Sequence, residues 1–429
     1  MVETTGAPQK APSNAMRNYT LFILTLVYAF NFIDRQILVI LQPLIKKELM
    51  LSDTQLGLLS GIVFAFFYTI IGIPIARYAD RGNRRNIISA ALAIWSAMTA
   101  LSGFAGSYAQ LALARVGVGI GEAGGSPPAH SMISSMFKSH KRATALAIYS
   151  AGLYLGVMLG FSLGGYFGEA YGWRYTFMIV GLPGILLALL VRFSVKEPRR
   201  TEPVPDLPEK MGQLLKNIWA LKSFPYIAFG CAMAAFISYG TSSFMPSFMV
   251  RYHQVPLSEI GLTLGLTSGG GGIIGSYLGG YLTDRFGAKD PRWYLWLPGI
   301  LGISAIPLGV AVYHVESLKL MLGLYFAVVV LSTSYLAPSI AVCHRLVGPH
   351  KRALSSALLF FVLNLIGLGG GPLFVGWLSD MLTTMRGVES LHWAMTAGVC
   401  IAMIKGYLFW MGGKKYVEDI ATLDATASD

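Results

Sequence analysis

The chain alternates between long apolar stretches and short polar segments. Each stretch runs for about 20 residues, the length that an α-helix needs to cross a hydrocarbon core about 30 Å thick. Clusters of charged, glycine and proline residues divide these stretches into two groups of six. The predicted helices lie near residues 19–42, 55–79, 86–106, 110–136, 142–170, 173–195, 223–252, 259–285, 292–314, 317–346, 351–384 and 390–412.

A polar segment with several prolines, residues 196–222, separates the two groups and is predicted to be a linker. The pattern therefore predicts an all-α polytopic membrane protein of twelve transmembrane helices, with six-helix halves at 19–195 and 223–412. Short tails are expected at 1–18 and 413–429. No small-residue cleavage site follows the first apolar stretch, so we expect that stretch to be retained as the first helix.

Composition and charge placement agree with a membrane protein. Apolar residues make up 54% of the chain and charged residues 13%, whereas a soluble domain carries roughly a quarter charged residues. With both termini in the cytoplasm, about 24 of the 33 Lys and Arg lie inside, about 6 outside and about 3 within helices. The net charge of +12 then reflects topology and anionic membrane lipids, not nucleic acid. We expect a multi-pass protein of the inner (plasma) membrane with both termini cytoplasmic.

Two loops of the first half recur in the second half. Residues 79–85 read Ala-Asp-Arg-Gly-Asn-Arg-Arg, and residues 283–289 read Thr-Asp-Arg-Phe-Gly-Ala-Lys. The run His-Lys-Arg-Ala stands at 140–143 and again at 350–353. Such repeats indicate two structurally related halves, an architecture in which transporters bind substrate near the midplane between the repeats.

The loop at 79–85 and its partner resemble the signature between helices 2 and 3 of the major facilitator superfamily. The resemblance covers essentially the whole chain and implies two pseudo-symmetric halves that alternate access to a central cavity. It also implies that Asp80 packs at the N-terminus of helix 11, where the helix dipole favours a carboxylate by about 0.3–1 kcal/mol. The predicted cytoplasmic gate comprises Asp80, Arg81, Arg84, Arg85, Arg142, Asp284 and Arg285.

Five ionisable residues lie well inside predicted helices: Asp34, Arg35, Arg115, Glu122 and Lys405. Each costs about 2.5–3.5 kcal/mol at the bilayer centre, so each needs a reason to be there. Arg115 and Glu122 are seven residues apart on helix 4 and share one face, about 10 Å apart along the axis. Asp34 and Arg35 point about 100° apart on helix 1, so at least one should face helix 4 or the cavity. Lys405, near the cytoplasmic end of helix 12, is expected to snorkel.

The surroundings of these charges favour an amphiphilic substrate. Pro127 and Pro128 should kink or open helix 4 just after Glu122, and freed carbonyls at that depth are tolerated where they line a cavity. The glycine run 269–272 should allow close helix contact or bending. One wall of the cavity would then carry charges, and the opposite wall would carry aromatic rings and hydroxyl groups. This arrangement suits a substrate with a polar headgroup at one end and an apolar tail at the other. The predicted lining residues of the second half are Tyr239, Ser243, Phe244, Thr333 and Tyr335.

Residues 31–35 (Asn-Phe-Ile-Asp-Arg) and 119–123 (Gly-Ile-Gly-Glu-Ala) resemble the spinster-like group of the superfamily, which is linked to sphingosine-1-phosphate and lysophospholipid movement. The resemblance implies that Asp34, Arg35, Arg115 and Glu122 handle substrate and protons. The predicted function is a proton-coupled secondary transporter of an amphiphilic anion or zwitterion, such as a lysophospholipid or a sphingoid phosphate. An Asp-Arg pair on helix 1 also resembles symporters of organic anions and sugar acids, which is the alternative.

Two modes of proton coupling stay open. An anionic headgroup on Arg115 would weaken the hold of Arg115 on Glu122 and favour protonation of Glu122, which couples substrate and proton. An ammonium group that competes with the proton for Glu122 would instead give antiport.

Other functions find less support in the sequence. An enzyme would need a nucleophile, metal or acid–base cluster, and a primary pump would need an ATP-binding loop; neither feature is found in the sequence. Cys231, Cys343 and Cys400 lie in apolar stretches without disulfide or metal spacing. We therefore expect a monomer without metal or cofactor that interacts with its substrate, protons and membrane lipids.

Overall fold

The computed structural model describes residues 13–198, 211–348 and 351–428, which fold as helices joined by short connections. Many of the helices are interrupted by a turn or by a π-helical or 3-10 segment. The helices of the first half are α1 (Asn14–Leu49), α2 (Asp53–Ser60 and Ile62–Arg81), α3 (Arg84–Ser102), α4 (Tyr108–Glu122 and Ser126–Met136) and the continuous stretch Ser139–Ser194, which contains α5 and α6.

The second half repeats this arrangement after a short helix at Met211–Trp219 in the linker. Its helices are α7 (Phe224–Tyr252), α8 (Leu257–Leu264, π-helical Gly265–Gly270 and Gly271–Gly287), α9 (Trp293–His314), α10 (Leu318–Ser332, 3-10 helical Thr333–Tyr335 and Leu336–Val347), α11 (Arg352–Val362, π-helical Leu363–Leu368 and Gly369–Arg386) and α12 (Ser390–Cys400 and Ala402–Ser428).

The stretch Ser139–Ser194 is two helices divided at Gly172. The backbone φ of Gly172 is 79°, a left-handed conformation that glycine adopts without steric cost. The division separates α5 (139–171) from α6 (173–194), close to the predicted boundary. Seven helical stretches in the described part of the chain are long and apolar enough to cross a membrane, and two of them, His140–Ser194 and Arg352–Leu423, are long enough for at least two crossings.

Several predicted boundaries differ from the structure. Helix α1 begins at Asn14 instead of 19, because the Ser13 hydroxyl caps it by accepting a hydrogen bond from the Met16 backbone N–H. Helix α12 continues to Ser428, so the described part of the predicted tail 413–429 is helical. The Asp419 carboxylate within this extension accepts hydrogen bonds from the backbone N–H and hydroxyl of Ser223 at the start of α7, which ties the extension to the second half.

The chain has two membrane faces, which we name from the structure. The terminal face is the one at which α1 begins and α12 ends; the far face is the one at which α1 ends and α2 begins.

The halves contact through α2 against α11 and through α5 against α8, which are equivalent pairs in a two-fold repeat. A Cβ on Gly57 would lie 2.3 Å from the Pro372 carbonyl oxygen, and a Cβ on Gly261 would lie 2.4 Å from that of Phe161. Glycine is thus required where the backbones cross.

The buried apolar core shows on which side the halves are closed. Toward the far face, one continuous core contains residues of both halves, including Ile37 and Leu59 from the first and Phe248 and Met395 from the second. Toward the terminal face, the core divides into one cluster made almost entirely of the first half and another made entirely of the second half and linker. The two halves are therefore packed together at the far face and separately cored at the terminal face.

Candidate functional site

The four charges predicted on helices 1 and 4 lie together inside the first half. The Arg35 Nε atom donates a hydrogen bond to Glu122 Oε2 at 2.8 Å, which joins α1 to α4. Asp34 lies close to both Glu122 and Arg115. Asp34 and Glu122 are 1% exposed and Arg115 is 2% exposed. The four side chains therefore form one buried cluster, which we call the charge quartet.

Much of the hydrogen-bonding capacity of the charge quartet is unused. In the part of the chain that the structure describes, Asp34 Oδ2, Glu122 Oε1 and the Nε and Nη1 atoms of Arg115 are buried without a hydrogen-bond partner. Leaving a buried charged group unpaired is costly, because the group loses its hydration without gaining a partner. The quartet therefore holds buried donors and acceptors that the described residues do not satisfy.

Aromatic rings fix the position of Arg35. Its guanidinium carbon lies 5.0 Å from the ring centroid of Phe32, 4.8 Å from that of Phe64 and 5.0 Å from that of Tyr68. Arg115 lies 5.3 Å from the same Phe64 ring. Each such cation–π contact contributes about 0.5–2 kcal/mol, depending on desolvation. The rings supply an apolar surface directly beside the two cations.

The predicted interruption of helix 4 is confirmed. The first segment of α4 ends at Glu122, and the second begins at Ser126 with Pro127 and Pro128 in its first turn. Proline fits the first turn of a helix because the N–H that it lacks would have no intrahelical partner there. Glu122 thus sits at the C-terminus of a helical segment, where the helix dipole is unfavourable for a carboxylate and Arg35 provides the compensating charge.

The predicted lining residues of the second half are divided among three places. Tyr239 lies close to Arg35 and packs against the first-half core. Phe244 is fully buried in the far-face core, so in this structure it closes the far face instead of lining a cavity. Ser243 is also buried, with 4% exposed. Thr333 lines a cavity within the second half, and Tyr335 lies beside Lys405.

The expectation that Lys405 snorkels to the membrane surface is wrong. The residue is 2% exposed, and its Nζ atom lies 5.5 Å from the ring centroid of Tyr335. The prediction assumed that helix 12 ends near residue 412, which would place Lys405 about two turns from the surface. The structure shows instead that the side chain points into the second half, where it packs against Gly302 of α9 and Tyr335 of α10.

Two residues of the predicted cytoplasmic gate fasten the start of the linker. The Arg84 Nε atom donates to Glu197 Oε1 at 2.7 Å, and its Nη1 atom donates to the hydroxyls of Ser131 and Ser135. The Arg85 backbone N–H donates to Glu197 Oε2 at 2.8 Å. These contacts stay within the first half and the linker.

The other gate residues contribute less to the described contacts. The Asp284 carboxylate accepts a hydrogen bond from the Tyr294 hydroxyl at 3.3 Å. Arg81 and Arg285 are exposed, and Arg142 is half-buried. The side chain of Asp80 lies outside what the structure describes. The gating role of this set stays a prediction.

An ion-pair cluster at the far face joins the halves and was missed by sequence reasoning. Asp53 of α2 receives two hydrogen bonds from Arg251 of α7, at 2.8 and 2.6 Å. Lys46 Nζ lies 2.5 Å from Asp53 Oδ1, and the Ser379 hydroxyl donates to Asp53 Oδ2 at 2.8 Å. The Asp53 side chain is only 3% exposed. We call Asp53, Lys46, Arg251 and Ser379 the far-face clasp.

Asp380 of α11 reinforces the clasp by capping α2 from the other half. Its Oδ1 atom accepts a hydrogen bond from the Asp53 backbone N–H at 3.0 Å, and its Oδ2 atom accepts from the Thr54 N–H at 2.8 Å and hydroxyl at 2.6 Å. The first N–H groups of a helix have no intrahelical acceptor and carry partial positive charge. No sequence pattern predicted this cluster, because charges at helix ends are ordinary and the partners are far apart in the chain.

A model of the Major Facilitator Superfamily matches residues 24–372 and, in a second match, residues 227–418. The first match alone covers most of the chain and includes parts of both halves. The chain belongs to the Major Facilitator Superfamily. The fold of this superfamily implies twelve membrane spans, in agreement with the helices described above.

Two relatives that match most of the chain indicate more closely where it belongs within the superfamily. An MFS-type efflux pump of Mycolicibacterium smegmatis is 34% identical over 423 residues, which cover 98% of this chain and 97% of the relative. The sphingosine-1-phosphate transporter of Danio rerio is 26% identical over 419 residues, covering 91% of this chain and 81% of the relative. The match to full-length transporters covers both halves and the region between them.

The fold is also that of a solved transporter. The crystal structure of a bacterial homologue of the human lysosomal transporter Spinster, in an inward-facing and unoccupied conformation, superposes with a TM-score of 0.86 at 33% identity. The superposition covers 95% of this chain and 99% of the homologue. This chain is therefore a spinster-like, multi-pass secondary transporter of the Major Facilitator Superfamily and not an enzyme. The predicted family and fold class are confirmed.

Proposed function

We propose that this transporter moves an amphiphilic anion or zwitterion, such as a lysophospholipid or a sphingoid phosphate, in a proton-coupled cycle of alternating access. Its location is proposed to be the bacterial plasma membrane, with both termini in the cytoplasm. The observation that carries the proposal is the charge quartet, in which Arg35 and Glu122 are paired while Arg115 and Asp34 retain unpaired buried atoms. An incoming headgroup finds a cation with free donors there.

Charge balance in the quartet supports the proton coupling. Two carboxylates and two guanidinium groups are neutral together when all four are ionised. An anionic headgroup on Arg115 adds a negative charge in a buried site, where an unbalanced charge is costly. A proton on Glu122 or Asp34 restores neutrality and allows substrate and proton to move together. A zwitterion whose ammonium displaces the proton from Glu122 would instead give antiport.

The apolar part of the substrate is proposed to lie along the aromatic wall. Phe32, Phe64 and Tyr68 surround Arg35, and Tyr239 approaches from the second half. A headgroup bound at Arg115, beside Arg35, would therefore place its tail against apolar surface, which favours a lipid-like molecule. The sphingosine-1-phosphate transporter among the relatives supports the same class of substrate.

The closed far face defines the proposed state of the cycle. The far-face clasp and the continuous core seal that side, whereas the cores separate toward the terminal face. With the termini in the cytoplasm, this is an inward-facing arrangement, the same as that of the superposed homologue. The gate residues on the terminal face, including Arg81 and Arg285, are proposed to engage when the far face opens.

A small organic anion, such as a sugar acid, is the second candidate substrate. Arg115 needs only one carboxylate or phosphate group to satisfy its free donors, and a short molecule meets that need without a tail. The two candidates share the quartet and the proton mechanism and differ only in the use of the aromatic wall.

The decisive experiment is uptake into proteoliposomes of labelled lysophosphatidylethanolamine and of labelled glucuronate, each with and without a pH gradient. Glu122→Gln keeps the size of the side chain but cannot exchange a proton, so we expect transport to lose its response to the gradient. Glu259→Gln is the matched control, because Glu259 is exposed and outside the quartet.

Two outcomes would contradict the proposal in different ways. A full gradient response in Glu122→Gln would exclude proton coupling through the quartet. Gradient-driven uptake of glucuronate without any lysolipid transport would transfer the substrate to the small organic anions and leave the coupling mechanism in place.

A further inference from the structure

The second half contains a buried cation that the proposed mechanism does not use. Lys405 of α12 is 2% exposed. Arg84, which is also buried, and Arg35, whose side chain is 12% exposed, each pair with a carboxylate, whereas none of the ion pairs formed by the described residues includes Lys405. A buried ammonium group without a negative partner is strongly destabilised, so this position requires an explanation.

The immediate surroundings of Lys405 leave its ammonium group available. The Tyr335 ring centroid lies 5.5 Å from the Nζ atom, a weak cation–π contact. Gly302 of α9 provides the space for the ammonium, because a Cβ there would lie 2.8 Å from Nζ. The local structure thus accommodates the charge without neutralising it.

A cavity lined by apolar side chains and seven hydroxyl-bearing residues adjoins Lys405. It lies between α7, α9, α10 and α12, and no Asp or Glu lines it. Thr241 and Thr333 donate their hydroxyl hydrogens to carbonyl oxygens of their own helices. Ser238, Ser242 and Ser332 form no side-chain hydrogen bond within the described ranges. Free hydroxyl donors beside an ammonium group are a suitable set of ligands for an anion.

We propose that Lys405 and this cavity form a second anion-binding site, which takes an acidic group, phosphate or carboxylate, of the transported molecule. The inference rests on the proposed function and deepens it, because it predicts that the transporter prefers the more negative of two otherwise similar substrates. Tyr239 lies close to both Arg35 and Tyr335, so it connects the charge quartet with the surroundings of Lys405.

The test compares two pairs of molecules that differ in negative charge. Lysophosphatidic acid and lysophosphatidylcholine form the lipid pair; glucarate, with two carboxylates, and glucuronate, with one, form the small-molecule pair, because one carboxylate can already be bound by Arg115. Binding to the detergent-purified full chain is measured by thermal stabilisation, which does not depend on transport. The variants are Lys405→Met, which removes the charge, and Lys405→Arg, which retains it. Lys414→Met, at an exposed position on the same helix, is the control.

We expect wild type, Lys405→Arg and Lys414→Met to bind the more anionic member of at least one pair about tenfold more tightly, and Lys405→Met to lose that preference. The pair that shows the effect identifies the source of the anionic group as a lipid or a small molecule. Wild type without a preference in either pair, or Lys405→Met with an unchanged preference, would overturn the inference. If binding depends on Lys405 but neither lipid is transported in proteoliposomes, the proposed substrate class fails while the anion site stands.

Discussion

Arg115 and Arg35 both belong to the charge quartet but differ in how their donors are used. Arg35 is occupied by Glu122 and by three aromatic rings, whereas Arg115 keeps its Nε and Nη1 atoms free within the described structure. A guanidinium group presents a planar set of donors that matches a phosphate or carboxylate in a bidentate geometry, which an ammonium group cannot reproduce. We therefore assign substrate contact to Arg115 and positioning of Glu122 to Arg35.

This division predicts different effects for the same substitution at the two positions. Arg115→Lys keeps the charge but loses the bidentate geometry, so we expect the KM for the transported anion to rise about tenfold with the gradient response retained. Arg35→Lys should instead weaken the response to the pH gradient with a smaller change in KM. Concentration series in proteoliposomes with and without the gradient measure both quantities. A KM unchanged in Arg115→Lys would remove Arg115 from the substrate site.

At the level of residues, the sequence predicted the membership of the charge quartet but not the surroundings of Lys405. Charges inside long apolar stretches are rare and costly, so Asp34, Arg35, Arg115 and Glu122 stood out without any structure. The environment of Lys405 depended on which neighbouring helices its side chain faces, and these are α9 and α10. The end of α12 was also missed, because a helical extension held by tertiary contacts such as that of Asp419 with Ser223 does not look like a membrane span in the sequence.

At the level of elements, the halves depend on glycines where helices of different halves cross. In α8, a Cβ on Gly261 would meet the Phe161 carbonyl oxygen at 2.4 Å, and a Cβ on Gly272 would meet the ring of Tyr154 at 2.4 Å. The sequence predicted that the glycines at 269–272 permit close contact or bending, and the π-helical segment Gly265–Gly270 lies at that place. The π-helical turn itself was not predictable, because a single extra residue in a turn hardly alters apolar periodicity.

Gly261→Val should therefore force α5 and α8 apart, at a cost of about 1–3 kcal/mol for overpacking. We expect a lower midpoint of thermal unfolding in detergent, by about a few degrees. Gly280→Val is the matched control, because Gly280 lies in the same helix and a Cβ there would meet no atom within 4 Å. Equal midpoints for the two variants would show that the crossing tolerates a side chain.

At the level of the whole molecule, the far face is closed by apolar packing together with the far-face clasp. The clasp buries the Asp53 carboxylate between a cation of its own half, Lys46, and Arg251 of the other half. Removing one partner of such a pair leaves the other buried without compensation, which makes the closed arrangement less stable. The clasp therefore contributes to the balance between far-face-closed and far-face-open states.

Arg251→Met should shift that balance toward opening at the far face. The distance between spin labels attached at Met50→Cys and Val388→Cys measures this opening, because these positions are 89% and 87% exposed and lie in different halves at the far face. Cys400, which is exposed, is replaced by Ser in this background. We expect the population with a longer distance between labels to rise at least tenfold, about 1.4 kcal/mol.

Arg386→Met is the control for this measurement, since Arg386 is exposed on the same face and contacts Trp393 of its own half. A distance distribution in Arg251→Met that matches the control would mean that apolar packing alone closes the far face.

The architecture of the molecule was predictable from the sequence, but the conformational state seen in the structure was not. Repeated loops at 79–85 and 283–289 indicated two related halves, and the superposed homologue has the same fold. The pairing of Asp53 with Arg251 occurs in an arrangement whose far face is closed. A single sequence encodes every state of a transport cycle, so it cannot indicate which inter-half contacts exist in one of them.

The two ends of the linker are each held by their own half. Arg84 and Arg85 bind Glu197, and Asp419 binds the backbone N–H groups of Lys222 and Ser223. The transporter therefore resembles a heterodimer of two six-helix subunits that recognise each other through the far-face core, the clasp and the helix crossings. The covalent connection would then serve to raise their effective concentration. A chain divided between 199 and 210 and co-expressed as two polypeptides should copurify as one complex, whereas failure to copurify would show that continuity of the chain is needed for assembly.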